Sequence, residues 1–505
     1  MRRIAVFILI FVTPCFVTAQ DTSNVLSQGF LQQYNFYSKD VLSQPLFKLG
    51  SYAIVSGNFG IKNGDYILSQ DATKQQQINF ATEGTRQLKQ YLVSGAFAYT
   101  RTLKDSVGYT LRDDINSPLP YYYYAAKKGN WETSTYKLQG IVSRDINKKM
   151  SIGLGANYLS SIAWRSNDPR SEYFQFDMDA QATLHYKLSN KHSIAVSGGA
   201  VVKSNETNIE YRNKDYGTSL VYPEYIMHIE YGYGFDDYRQ TSSIKTNTNG
   251  WKTGLLYNGN LANAQLTAKA HYTHLQSKFT GPATVYEPLG LYGRFYENIW
   301  DASVLWQQKN TANCLSVAMD YLHHRGKDYN TFLSSSNYIY SFEQVKLQPV
   351  YGKYSNNALL YELGAELALT NYLKADGNAG QRTEYQYTNT DVYGVYYWHL
   401  KNENTFSTLL RLGMQNPLSS KAIQSVQLHE FAQAVIYRDY YFYSASSVNA
   451  KLQLQYQFLL RHTKAFIKTS GFYQHASVKD DTSLPALSKP GNSRWSCQLS
   501  VGVNL

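Results

Sequence analysis

Beyond its amino terminus the chain has no run of about 18 apolar residues, the length a helix needs to cross a bilayer, so any membrane crossing must be made by strands. Cysteine is scarce, at three residues. Val12-Thr13-Pro14 before Cys15 is a poor match to a lipidation signal. Cys314 and Cys497 fall on opposite faces of their segments, which argues against a disulfide, and neither has metal-ligand spacing. No Gly-x-Ser-x-Gly elbow, phosphate-binding loop or Cys-x-x-Cys occurs, and His429-Glu430 lacks the second histidine of a zinc helix. His475 near Asp480 and Asp481, and His228 near Asp236 and Asp237, are weak grounds for catalysis. No enzyme, cofactor or metal is expected.

What is present starts with export. Arg2 and Arg3 precede the apolar run Ile4 to Val12, and Val17-Thr18-Ala19 has the small residues a signal peptidase reads, so cleavage is expected between Ala19 and Gln20. Removing Arg2 and Arg3 leaves 46 basic against 37 acidic residues, a mature charge of +9. An exported protein with its positive charge spread out is not expected to bind nucleic acid.

A period of two runs through the chain. In the last eleven residues Trp495, Cys497, Leu499, Val501, Val503 and Leu505 alternate with small or polar neighbours, which fits a tilted strand with one face to lipid and one to a polar interior. The mean hydropathy of −0.42 is compatible with such averaging. Seven hairpins follow the same rule: 136–142 with 150–158, 174–186 with 194–200, and five more around the turns 258–263, 309–312, 353–357, 401–404 and 461–464. The stretches between hairpins are longer and rich in Tyr, Asn, Asp and Gly: 159–173, 203–248, 276–298, 324–341, 371–390, 415–446 and 475–493. Adding Tyr91 to Arg101 and the terminal segment makes sixteen strands, and a hairpin of Ser51 to Gly60 with Gln77 to Gly84 makes eighteen. The expected fold is all-β, a transmembrane antiparallel up-and-down barrel of about 16 to 18 strands with short periplasmic turns and long extracellular loops. The expected division is a signal peptide at 1–19, a periplasmic or lumen segment at 20–46, and the barrel at 47–505. The 46 tyrosines are expected mainly at the two membrane interfaces.

Residues 21–46 are too few for an independent plug, so either a disordered leader or a small obstruction inside the barrel is expected. The 203–248 stretch, aromatic and acidic, is the candidate constriction or lid, or a self-packed cap. Between the apolar positions the expected lumen wall carries Asp177, Asp179, His185, Lys187, Lys269, His271, Asp301, Asp320, Glu362, Glu366, Arg411, Lys451 and Lys468. Both signs of charge occur, which suits either a water-filled pore or a closed interior held by ion pairs.

The segments Gly129-Asn-Trp-Glu-Thr-Ser-Thr-Tyr136, Gly153-Leu-Gly-Ala-Asn-Tyr158 and Ser166-Asn-Asp-Pro-Arg170 resemble an uncharacterised family of outer-membrane β-barrel proteins from Bacteroidota. The resemblance runs from about residue 50 to the carboxyl end and implies a Gram-negative outer-membrane location with no assigned substrate. Leu505 departs from the aromatic with which such barrels usually end, the residue the barrel insertion machinery reads. The expected surroundings are outer-membrane lipid and lipopolysaccharide. The leading functional expectation, resting on the polar inner face and the lack of a plug, is a porin-like channel for small hydrophilic solutes. The alternative is a non-conducting surface or assembly barrel that binds a periplasmic or surface protein, or a glycan, through its Tyr-rich outer loops.

Overall fold

The computed structural model describes residues 27–47, 51–238, 243–283, 290–310, 312–356, 358–424, 429–461, 463–479, 484 and 486–505. The expected cleavage site at Ala19 and Gln20 lies outside them, as do Asp480 and Asp481. Eighteen antiparallel strands form one sheet: Tyr52–Gly64, Lys74–Leu88, Tyr91–Val107, Gly129–Asp145, Met150–Arg165, Arg170–Lys187, His192–Glu210, Ser243–Leu261, Ala264–Thr280, Leu291–Lys309, Asn313–Asn330, Tyr338–Ser355, Ala358–Asp376, Gln381–His399, Thr405–Ile423, Ser446–Leu460, Thr463–Ser477 and Ser493–Asn504. Each pairs with its neighbour in sequence. The last pairs with the first, from Ile54 with Asn504 to Gly64 with Arg494, and the sheet closes into a barrel. Ala53 and Leu505 complete the seam with backbone hydrogen bonds of 3.2 and 2.7 Å.

Alternation determines which way each face points. In Met150–Arg165 the side chains of Ile152, Leu154 and Tyr158 are exposed while Ser151, Ser161 and Ala163 are buried, the inverse of a water-soluble sheet. An exposed apolar band around a closed polar interior is the arrangement lipid demands, because closure leaves no unpaired backbone edge. The protein is therefore an outer-membrane β-barrel. Aromatic rings mark the band's edges. Trp251, Tyr272 and Trp300 pack side by side toward the outer face, with centroids 5.2 and 4.6 Å apart, and Tyr396, Trp398 and Phe406 do so at the periplasmic face, at 4.6 and 5.4 Å.

The turns of the seven predicted hairpins all lie at one end, where connections are two to five residues long, whereas the hairpin of the first two strands turns at the other end over residues 65–73. At the other end the structure corrects two expectations. The stretches 159–173 and 371–390 are mostly strand, joined by four-residue turns at 166–169 and 377–380. Strands here reach 19 residues where about 9 to 11 cross the bilayer, so their outer ends stand clear of the membrane and lose the apolar alternation that marks a spanning segment. The tyrosines are the second correction, since many do not form girdles. Tyr121 to Tyr124, Tyr231, Tyr233, Tyr292, Tyr338, Tyr340, Tyr385, Tyr437, Tyr440 and Tyr441 are buried together in one cluster inside the outer mouth.

Candidate functional site

Described residues fill the lumen from both ends and define the space between. The floor is the segment 27–47. Ser27 caps helix α1 (Gln28–Ser38), accepting from the Phe30 amide, and a 3-10 turn follows at Gln44–Leu46. Of the two expectations for this segment, the structure has the small obstruction inside the barrel, so the lumen is not free of a plug. A segment this short needs no core of its own when the barrel wall supplies its partners.

Those partners include several of the expected lumen residues. Glu362 receives the amides of Gln28 and Gly29 on its two carboxylate oxygens at 2.8 Å each, and Tyr397 donates its hydroxyl at 2.6 Å. A carboxylate at a helix amino terminus satisfies free N–H groups and complements the helix dipole. At the other end of α1, Asp40 lies 3.0 Å from Lys269 Nζ and 2.8 Å from His271 Nε2, and its other oxygen accepts from the Leu42 amide. Burial disfavours the Asp40 charge, but Lys269 and His271 outweigh it and hold the carboxyl well below the usual carboxylate range. Lys269 also donates to the Phe36 carbonyl at 2.8 Å. Gln32 donates to the Gln348 carbonyl and accepts from Ser316, and Gln44 accepts from Ser143 and donates to the Leu92 carbonyl. Apolar contacts are fewer: Tyr34, Phe36, Tyr37 and Phe47 pack with Tyr52, Leu305 and Ala318.

The roof is built from three outer loops. Strand Tyr121–Tyr124 pairs with His228–Tyr231, which pairs with Asp236–Tyr238, and this small sheet is separate from the barrel. A π-helical turn at Ala432–Ile436 and helix α2 (Tyr437–Tyr443) pack beside it. Tyr121 donates to Asp328 at 2.5 Å, Tyr233 donates its amide to Asp376 at 2.8 Å, and Tyr441 donates to the Leu484 carbonyl at 2.8 Å. Glu230 is fully buried in this roof, accepting from the Gly234 amide. Burial, with Asp236 and Asp376 adding repulsion, pushes its carboxyl well above the usual range. The 203–248 stretch thus supplies part of a cap. The Tyr-rich 108–128 loop that completes it carries no strong period and was not singled out from sequence.

Between floor and roof lies a chamber. Three cavities of about 570, 240 and 360 Å³ adjoin along α1, sharing Lys39, Asn157 and Lys252 across one boundary and Asn35, Lys269 and Ser303 across the other. Asp177, Asp179, Lys269, His271, Asp301, Asp320, Glu366 and Arg411 line it, together with Glu83, Lys137, Lys203 and Lys252. Several charges are paired, Lys203 with Asp177 at 3.7 Å and Lys346 with Glu366 at 3.7 Å on neighbouring strands, and Lys252 with Asp179 and Arg411 with Glu366 at 3.8 Å across one intervening strand. Lys451 stands opposite Arg411 in register, and Lys468 is one strand further on. His185 is buried near the periplasmic end, and Lys187 is exposed at the rim. Cys314 and Cys497 are free thiols.

A family model matches residues 44–505 of the chain. The chain belongs to a family of unknown function, DUF6850. No curated protein matches it. Among solved structures this family member is similar to BauA, the ferric preacinetobactin receptor of Acinetobacter baumannii, at 8% identity, with 90% of this chain and 80% of that one covered and a TM-score of 0.41. It is also similar to the outer membrane transporter YddB of Escherichia coli, at 8% identity, 91% and 81% coverage and a TM-score of 0.40. A third is the outer membrane protein opdK of Pseudomonas aeruginosa, at 10% identity, 91% and 100% coverage and a TM-score of 0.35. Likenesses at this level assign no substrate. Of the weak catalytic pairs, His228 Nδ1 stands 3.9 Å from Asp236, whose carboxylate also receives the Tyr124 hydroxyl. Among the described residues no group of three His, Cys, Asp or Glu is placed to hold a metal ion.

Proposed function

We propose that this protein is a gated conduit for small hydrophilic solutes, shut at rest and opened by displacement of residues 27–47. The observation that carries this reading is the charged chamber above the floor. A barrel needed only as a scaffold gains nothing from solvated ionic walls at its centre, and the floor is held by discrete polar contacts that can be exchanged for water. The test is single-channel current in a planar bilayer, comparing the intact mature protein, a variant lacking 27–47, and one lacking both 27–47 and the roof loop 211–238. The expected result is a silent intact barrel and discrete steps in at least the double deletion. Silence in both deletions with heat-modifiable mobility retained would overturn the reading. In the conducting variant, Glu366→Gln and Arg411→Gln should move the reversal potential in opposite directions, since each removes one sign from the chamber wall.

A second reading, a surface protein that binds a partner through its outer loops, is favoured by one observation. Leu220 and Val221, at the tip of the 211–238 loop, are 85% and 75% exposed beside Tyr222. Under that reading Leu220→Ser with Val221→Ser abolishes partner cross-linking on cells and leaves conductance of the deletion variants unchanged. The strand Trp495 to Leu505, with its apolar face outward, supports engagement by barrel insertion machinery, and the resemblance of residues 129–170 supports a Bacteroidota source.

A further inference from the structure

The outer wall carries an unbalanced patch of charge. On three adjacent strands Lys278, Arg294, Arg325 and Lys327 are exposed, while Ser277, Phe279, Phe295, Gly326 and Asp328 between them are buried, so the four cations point away from the lumen. Several outward cations elsewhere on the barrel have carboxylate partners: Arg101 with Glu132 at 2.7 Å, Arg170 with Asp168 at 3.1 Å, Lys245 with Glu206 at 3.6 Å. Among the described residues these four have none, and their side chains make no hydrogen bond. Lys278 and Arg294 stand directly opposite each other across the strand pair, and Lys327 is diagonal to Arg294. Like charges so placed destabilise a sheet unless an anion sits between them.

Their height selects the anion. Arg294 lies six residues beyond Trp300 on its strand, Lys278 six beyond Tyr272, and Arg325 and Lys327 four and six beyond Tyr321. At about 3.3 Å per residue and a tilt of about 40°, that is roughly 10 to 15 Å above the aromatic edge of the apolar band. This is outside the hydrocarbon and within reach of the sugar-phosphate layer of an outer leaflet. The wall is concave there: a depression of about 1230 Å³ is lined by Arg294, Arg325 and Lys327 with Tyr296, Tyr329 and Ile339. Charged heads beside aromatic faces suit a phosphorylated sugar better than a plain phospholipid headgroup.

We propose that Lys278, Arg294, Arg325 and Lys327 form a docking site for the phosphate groups of lipopolysaccharide on the outer face of the barrel. The test is the affinity of the full mature protein in detergent for lipopolysaccharide with phosphorylated core sugars, measured beside the same glycolipid after enzymatic dephosphorylation. Arg294→Gln with Lys327→Gln is expected to weaken binding about 30-fold and to flatten its salt dependence. Dephosphorylation should cost the wild type at least as much, and Arg294→Lys with Lys327→Arg should retain binding. Equal binding of the dephosphorylated glycolipid, or equal binding by the Gln variant, would overturn the site. Competition by inorganic phosphate at equal concentration would overturn the lipid as its occupant. If the first variant loses heat-modifiable mobility, Lys278→Gln with Arg325→Gln carries the same expectations.

Discussion

Single residues on the wall fasten the floor, and their substitution should be read at the floor. Glu362 accepts two amides and a hydroxyl, and hydrogen bonds to a charged acceptor contribute about 1.5 to 3 kcal/mol each. Glu362→Ala should therefore raise deuterium exchange at Gln28 and Gly29 by at least about tenfold, with barrel amides unchanged. Two carboxylates outside the spanning strands, Asp40 and Glu230, respond to pH in opposite ways. Asp40 is depressed by Lys269 and His271, so its contribution is present above the ordinary carboxylate range and disappears only as pH falls through its low folded value. Mild acid, about pH 5, should leave the floor in place, whereas Asp40→Asn should release it at neutral pH. Glu230 is raised, so its contribution is present below the ordinary glutamate range and is lost as pH rises through its folded value. Protease cleavage of the 211–238 loop should accelerate from about pH 5 to about pH 8, and Glu230→Gln should remove that dependence. Sequence periodicity marked Glu362, Lys269 and His271 as lumen residues. It carried no sign of Asp40, the partner of Lys269 and His271, because contacts over 229 and 231 residues leave no local trace.

At the scale of elements, strands and non-strands behaved differently under sequence reading. The hairpins were legible because lipid imposes a period of two on every crossing, while above the membrane the same strands carry mixed polar and aromatic residues that read as loop. Helix α1 lacks a strong amphipathic period because its surroundings are polar on several sides. The terminal strand is an element with a clear prediction. Removing Ser493–Asn504 exposes two unpaired strand edges, at Tyr52–Gly64 and Thr463–Ser477, in a solvent that cannot satisfy them. Such a truncation should abolish heat-modifiable mobility outright. The conservative change Trp495→Phe, which keeps an aromatic at the band edge, should leave it intact.

The whole molecule is a barrel with two closures of different chemistry. The floor is held to the wall by hydrogen bonds and ion pairs, and the roof by a large buried aromatic cluster. Water competes for the first kind of contact and strengthens the second, so the floor is the closure that should yield first. Urea well below the barrel's own unfolding should accordingly expose 27–47 to protease before it exposes 429–445.

By itself the sequence determined the fold class, the membrane it crosses with strands, the side on which its short turns lie and which residues face inward. These follow from solvent on either side of each strand, a local property repeated along the chain. Only the tertiary structure decided that the tyrosines make a roof, that α1 makes a floor, and that four cations of three strands share one outward patch. Each depends on which strands meet around the barrel and on segments far apart in sequence, and closure of the sheet alone brings them together.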